Sequence, residues 1–141
     1  MISESVDAQK LNWYTDINEA LKISNKENKA LMLFFTGSDW CGWCKRLRSE
    51  VFQTSDFKNW SEKVVLVELD FPKRIAQDDQ TKAQNQQLKN MFQVRGYPTV
   101  YFISPEKMED GRTSLKSLGS TGYVRGGAKE WLKIANNIVV K

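Results

Sequence analysis

The stretch Ser38-Asp39-Trp40-Cys41-Gly42-Trp43-Cys44-Lys45 decides how this chain is to be read. It follows the apolar run from Leu31 to Phe35, and it holds both cysteines of the chain and two of its five tryptophans. Residues 30 to 35 are apolar throughout and of strand length, the pattern of a strand buried on both faces. Thr36-Gly37-Ser38-Asp39 breaks that run. From Cys41 to about Thr54, Leu47, Val51 and Phe52 recur at helical spacing. A buried strand therefore gives way to a helix that carries a cysteine at its start.

That position has chemical consequences. Unpaired backbone N–H groups and the macrodipole at a helix N-terminus favour negative charge. The thiolate is the reactive form of cysteine, and such a site lowers its pKa from about 8.5 into the range ~3.5–7.5. Lys45 adds positive potential. Cys44 lies three residues on and shares a helix face with Cys41, with Cβ atoms ~5–6 Å apart before adjustment. A small rotamer change brings them to disulfide distance. Such a pair attacks a substrate disulfide through one thiol and resolves the mixed disulfide with the other, or runs the same steps backwards.

Three plainer readings compete. A purely structural disulfide contributes only about 2 kcal/mol across so short a loop, and a domain of 141 residues has core enough without it. A zinc site wants about four Cys or His ligands, whereas the chain has no histidine and no third cysteine. Two unreactive core cysteines fit poorly with a turn that also holds Gly42, Trp40 and Trp43.

Working outward, the chain alternates strands and helices. Leu11 to Tyr14 reads as a short strand. Ile17, Ala20, Leu21 and Ser24 set an amphipathic helix from Asp16 to about Lys26. Phe57 and Trp60 mark a short helical turn, and Val64 to Leu69 is a second buried strand. A helix rich in Gln, Lys and Asn runs from about Asp79 to Phe92, with Leu88, Met91 and Phe92 as its apolar contacts. Val100 to Ile103 is a third strand, Ser104 to Arg112 has hairpin-loop composition, and 113 to 119 returns. After Gly126-Gly127, Ala128, Trp131, Leu132, Ala135, Ile138 and Val139 line one face of a last helix. This order predicts an α/β fold with a central mixed sheet flanked by helices. The expected organisation is a polar segment at 1–10 followed by one domain at 11–141.

Composition narrows the function classes. The net charge of +4 comes from scattered basic residues rather than a clustered stripe, which argues against nucleic acid as a partner. No apolar run approaches the ~20 residues of a transmembrane helix. The N-terminal Met-Ile-Ser-Glu-Ser-Val-Asp lacks the regions of a signal peptide. No metal and no other cofactor is expected.

A second motif lies far along the chain. Gly96-Tyr97-Pro98-Thr99 leads into the third strand, with Pro98 fifty-four residues after Cys44. A proline at the first position of a strand gives up a donor, and a cis bond there marks a specific tight turn.

Together, Trp40-Cys41-Gly42-Trp43-Cys44-Lys45 and Tyr97-Pro98-Thr99 resemble the thioredoxin superfamily, from about Trp13 to Val139. The resemblance implies a thioredoxin-like fold and a thiol–disulfide oxidoreductase, reductase or isomerase rather than strong oxidant. It makes Cys41 the exposed nucleophile, Cys44 the resolving thiol and Pro98 cis, facing the disulfide. Trp40, Gly42, Trp43, Tyr97 and Pro98 would meet substrate, with the backbone at Tyr97 pairing an extended segment. Trp40, Trp43, Phe71 and Tyr97 would form an apolar rim.

Typical members carry a buried Asp six residues before the first cysteine, and here that position is Phe35. The accompanying Lys aligns with Leu66, and Trp43 replaces the usual Pro. Proton handling at Cys44 would fall to water, Asp39 or Glu68. These departures resemble bacterial extracytoplasmic members more than a cytosolic thioredoxin. The expected setting is therefore the periplasm, with the signal sequence absent from this chain, and the cytoplasm as alternative. Expected partners are protein disulfide substrates and a redox partner protein, with the chain itself a monomer. The competing function is a redox-inert module of the same fold that grips a peptide or partner domain.

Overall fold

The computed structural model describes residues 11–139, so the polar segment expected at 1–10 lies outside the described residues. Five strands form one sheet: β1 (Trp13–Tyr14), β2 (Ala30–Thr36), β3 (Val64–Asp70), β4 (Thr99–Lys107) and β5 (Thr113–Thr121), in the order β1-β3-β2-β4-β5. β1 and β2 run parallel to β3, while β4 is antiparallel to both β2 and β5. This is the mixed sheet expected from the alternation of elements.

β2 is central because its sequence leaves no polar side to expose, and every residue from Leu31 to Thr36 is buried. Strand alternation divides its side chains between two cores. Met32 and Phe34 join Cys41, Cys44, Leu47, Phe52, Phe57 and Trp131 on one side of the sheet. Leu31, Leu33 and Phe35 pack with Ala20, Val65, Val67 and Leu88 on the other. Fully burying one such side chain contributes about 1.5–3 kcal/mol, so the two layers outweigh anything a four-residue disulfide loop supplies.

Among the described residues, five α-helices cover the sheet: α1 (Ile17–Glu27), α2 (Gly42–Leu47), α3 (Ser55–Trp60), α4 (Asp79–Met91) and α5 (Gly127–Val139). Asp16 caps α1 by accepting the N–H of Asn18 at 2.9 Å, and Asn28 closes it in the left-handed region at φ 56°. None of these helices is long and apolar enough to cross a membrane.

The structure corrects two boundaries and one core contact. The helix expected from Cys41 to about Thr54 is α2 followed by a π-helical turn, Arg48–Phe52, closed by Gln53 N–H to the Arg48 carbonyl at 2.9 Å. The loop expected at Ser104 to Arg112 is strand over its first part, to Lys107, with Pro105 opposite Leu115 in the β4–β5 pair, and the turn proper is 108–112. Pairing of β2 with β4 ends at Ile103, so Pro105 lies where β4 has one neighbour left, a place that tolerates a missing donor. Met91 is not a core contact: it is 53% exposed, on a groove shared with Met108 and Leu115, and Asn85 and Leu88 supply the buried face of α4.

Candidate active site

The parallel strands β2 and β3 end side by side, and the loops that leave them are stitched together. Phe71 N–H donates to the Thr36 carbonyl at 2.8 Å. Asp70 accepts both the N–H of Ser38 at 2.8 Å and its hydroxyl at 2.5 Å. Asp39 accepts three successive backbone N–H groups, from Lys73, Arg74 and Ile75, at 3.0, 2.8 and 2.9 Å. These bonds, that of Lys73 foremost, hold its carboxyl below the usual range. Trp40 folds back over Gly37 and donates its indole N–H to the Phe71 carbonyl at 2.7 Å. A Cβ on Gly37 would lie 2.3 Å from Cε2 of that ring, so the loop requires glycine there.

This frame sets the cysteines at the first turn of α2. Cys41 is the N-cap, held by its N–H to the Gly37 carbonyl at 2.9 Å, and its Sγ accepts the N–H of Cys44 at 3.2 Å. Cys41 and Cys44 are joined as a disulfide, with Cα atoms 5.3 Å apart. Cys41 is 6% exposed and Cys44 2%. The exposure expected of Cys41 is therefore slight in this oxidised state, though it remains the more exposed residue of the pair.

The distant motif reaches the same edge of the sheet, because β4 runs antiparallel and begins where β2 ends. The Tyr97–Pro98 peptide is cis, as expected. Tyr97 stands edge-on to Trp40 at 5.6 Å between ring centres and 5.3 Å from Phe71, and it packs against the core that holds both cysteines. Trp40, Phe71 and Tyr97 thus form one aromatic group. Trp43 is not part of it. Trp43 is 54% exposed and lies 5.0 Å from Tyr123, with the Arg46 guanidinium over both rings. Glu50 ties this second group together, accepting from Arg46 at 2.9 Å and from the Tyr123 hydroxyl at 2.5 Å. The Tyr123 bond pulls the Glu50 carboxyl down, and the same bond pushes the phenol up. Gly42 is exposed with open space around it.

Counting six residues back from Cys41 reaches Phe35, but Phe35 faces the other core, with Phe71 and Tyr101. The side chain of β2 that lies on the cysteine side is Phe34. Its β3 neighbour in register is Glu68, which accepts from Arg48 at 2.8 Å while the Arg48 guanidinium sits over the Phe34 ring. Burial pushes the Glu68 carboxyl up, and Arg48 only partly offsets it. Leu66 lies in the same core as Phe34. Sequence reasoning missed Arg46, Glu50 and Tyr123; only the i, i+4 spacing of Arg46 and Glu50 was there to be seen.

A cysteine pair at the N-cap of a helix, beside a cis-proline at the same sheet edge, defines a thioredoxin-like site. The chain belongs to the thioredoxin-like domain family, which matches residues 17–131. It is 36% identical over 120 residues to the disulfide bond reductase DsbH of Chlamydia pneumoniae, covering 84% of this chain and 72% of that one. The thioredoxin-related protein DsbJ of the same organism is 33% identical over 125 residues; 88% of this chain is matched, but only 34% of DsbJ. A solved DsbH oxidoreductase superposes with a TM-score of 0.80 at 32% identity, over 93% of this chain and 85% of that one.

Proposed function

We propose that this chain is a thiol–disulfide oxidoreductase that exchanges its Cys41–Cys44 pair with protein disulfides, as a reductase or isomerase. The observation that carries this reading is the Cys41–Cys44 disulfide at the N-cap of α2, with the Cys44 N–H directed at Cys41 Sγ. Once the bridge is reduced, that N–H and the helix dipole stabilise a thiolate on Cys41. The thiolate attacks one sulfur of a substrate disulfide, and Cys44 then attacks Cys41 Sγ and releases the second substrate thiol. Kinship with a disulfide bond reductase supports the reducing direction.

Trp40, Tyr97 and Pro98 border the substrate on one aromatic group, and Gly42 and Trp43 present the open top of the turn. An extended substrate segment pairs with the backbone at Tyr97 as an added strand. Glu68 accepts the proton of Cys44 during resolution, directly or through water. Its burial on the cysteine side of the sheet and its raised affinity for a proton support that role, whereas the Asp39 carboxylate is committed to three backbone donors. The working compartment is extracytoplasmic, a reading supported by kinship with two Dsb proteins and tested by fractionating the cells that make the protein.

Insulin reduction by dithiothreitol tests the activity. Wild type should accelerate precipitation of the insulin B chain well above the Cys41→Ser variant; equal rates would sink the proposal.

A further inference from the structure

The aromatic rings around the cysteine turn carry cations over their faces. Lys73 Nζ stands 4.0 Å from the centre of the Trp40 ring. Lys89 Nζ lies 5.6 Å from the Phe71 ring and 5.4 Å from that of Tyr97. These are cation–π distances, and the two lysines come from different elements: Lys73 from the loop after β3, Lys89 from the last turn of α4. Arg46 does the same on the second group, over Trp43 and Tyr123.

The carboxylates of this region are engaged by donors other than the two lysines. Asp39 is taken up by three backbone N–H groups, Asp70 by the N–H and hydroxyl of Ser38, and Glu50 by Arg46 and Tyr123. Among the described residues neither Lys73 nor Lys89 forms an ion pair. A net charge of +4 spread over the chain would not by itself favour any substrate. Two unpaired ammonium groups held above the rings that border the disulfide do, because a segment lying along those rings brings its own side chains within a Debye length, about 10 Å at 0.1 M salt.

We infer that the substrate is a protein disulfide whose flanking residues are acidic, with Asp or Glu side chains meeting Lys73 and Lys89 as the segment lies along Trp40, Phe71 and Tyr97. This inference rests on the oxidoreductase reading above. The electron balance is that of plain exchange. The Cys41 thiolate forms a bond to one substrate sulfur as the substrate S–S bond breaks and the other substrate sulfur leaves as a thiolate; Cys44 then attacks Cys41 Sγ and displaces the first substrate sulfur. Two electrons and two protons pass to the substrate, and the protein is left as its disulfide.

Two synthetic peptides with the same internal disulfide, one flanked by Asp and Glu and the other by Lys, test this. Reduced protein is reacted with each, and with neutral bis(2-hydroxyethyl) disulfide. Peptide rate constants are normalised to those with dithiothreitol, which removes the intrinsic reactivity of each disulfide. The acidic peptide should react on the order of tenfold faster than the basic one at low salt, with the advantage shrinking at high salt. The K73E/K89E variant, its fold checked by circular dichroism, should reverse the order. Equal normalised rates for wild type, an advantage indifferent to salt, or a preference that survives K73E/K89E would each overturn the inference. If wild type fails to reduce even the neutral disulfide, the oxidoreductase reading itself falls. The salt dependence of wild type stands as a test even if the variant folds poorly.

Discussion

Arg48 donates to Glu68 at 2.8 Å beneath the cysteine helix, from a π-helical turn whose first N–H reaches back to the Cys44 carbonyl. The pair therefore links the helix that carries Cys44 to the central sheet. Burial outweighs the arginine, so the folded protein holds a proton on Glu68 to higher pH than the unfolded chain does. The stability that follows is fully present below the unfolded value of about 4.3. It is lost as pH rises through the higher folded value. Glu68→Gln, which cannot titrate, should gain stability relative to wild type across that interval in urea melts run at stepped pH. Its disulfide-exchange rate should fall on the order of a hundredfold, and it should lose a limb of the pH–rate profile. An unchanged profile would remove Glu68 from proton transfer.

Gly37→Ala should disturb the site without touching a sulfur. Its new Cβ meets the Trp40 indole at 2.3 Å, and relieving that overlap costs about 1–3 kcal/mol. The expected readout is a lowered urea midpoint, with a tryptophan emission shift as the indole loses its bond to the Phe71 carbonyl.

Asp39 has the opposite sign to Glu68. Its folded carboxyl titrates below its ordinary value because the Lys73, Arg74 and Ile75 N–H groups bond the charged form. Its contribution is present above the unfolded value of about 3.9 and is lost as pH falls through the lower folded value. Asp39→Asn should be less stable than wild type at neutral pH, and the difference should narrow in strong acid. Amide hydrogen exchange at residues 73–75 should quicken.

Trp131 anchors the core behind the site. It is fully buried among Phe52, Phe57, Trp60 and Phe102, and its indole N–H donates to the Gly122 carbonyl at 3.0 Å, next to Tyr123. Trp131→Ala should cost about 3–5 kcal/mol, measured by chemical denaturation.

The parts legible in the sequence were those fixed by local pattern. The all-apolar run of β2, the cysteine pair at a helix start and the proline before β4 each show in a few consecutive residues, and each lies where expected. What was hidden depends on which face a residue takes or on contacts far along the chain. Phe34 and Phe35 are alike in composition, and only strand alternation puts Phe34 beside the cysteines. Pro105 suggested a loop because its tolerance depends on where β2 stops pairing. The Trp43–Tyr123 contact joins positions eighty residues apart, and no short pattern announces it. Asp39 reads in sequence as a proton-transfer candidate, and only the three backbone donors at residues 73–75 show its carboxylate already engaged.

The central claim is that Cys41 attacks and Cys44 resolves. Removing the resolving thiol tests it most directly. Reduced Cys44→Ser, mixed with a disulfide-bridged peptide, should accumulate a mixed disulfide through Cys41, visible by mass spectrometry as one peptide added per chain, while Cys41→Ser should form little or none. No adduct on Cys44→Ser, or faster adduct formation through Cys44 in Cys41→Ser, would contradict the account.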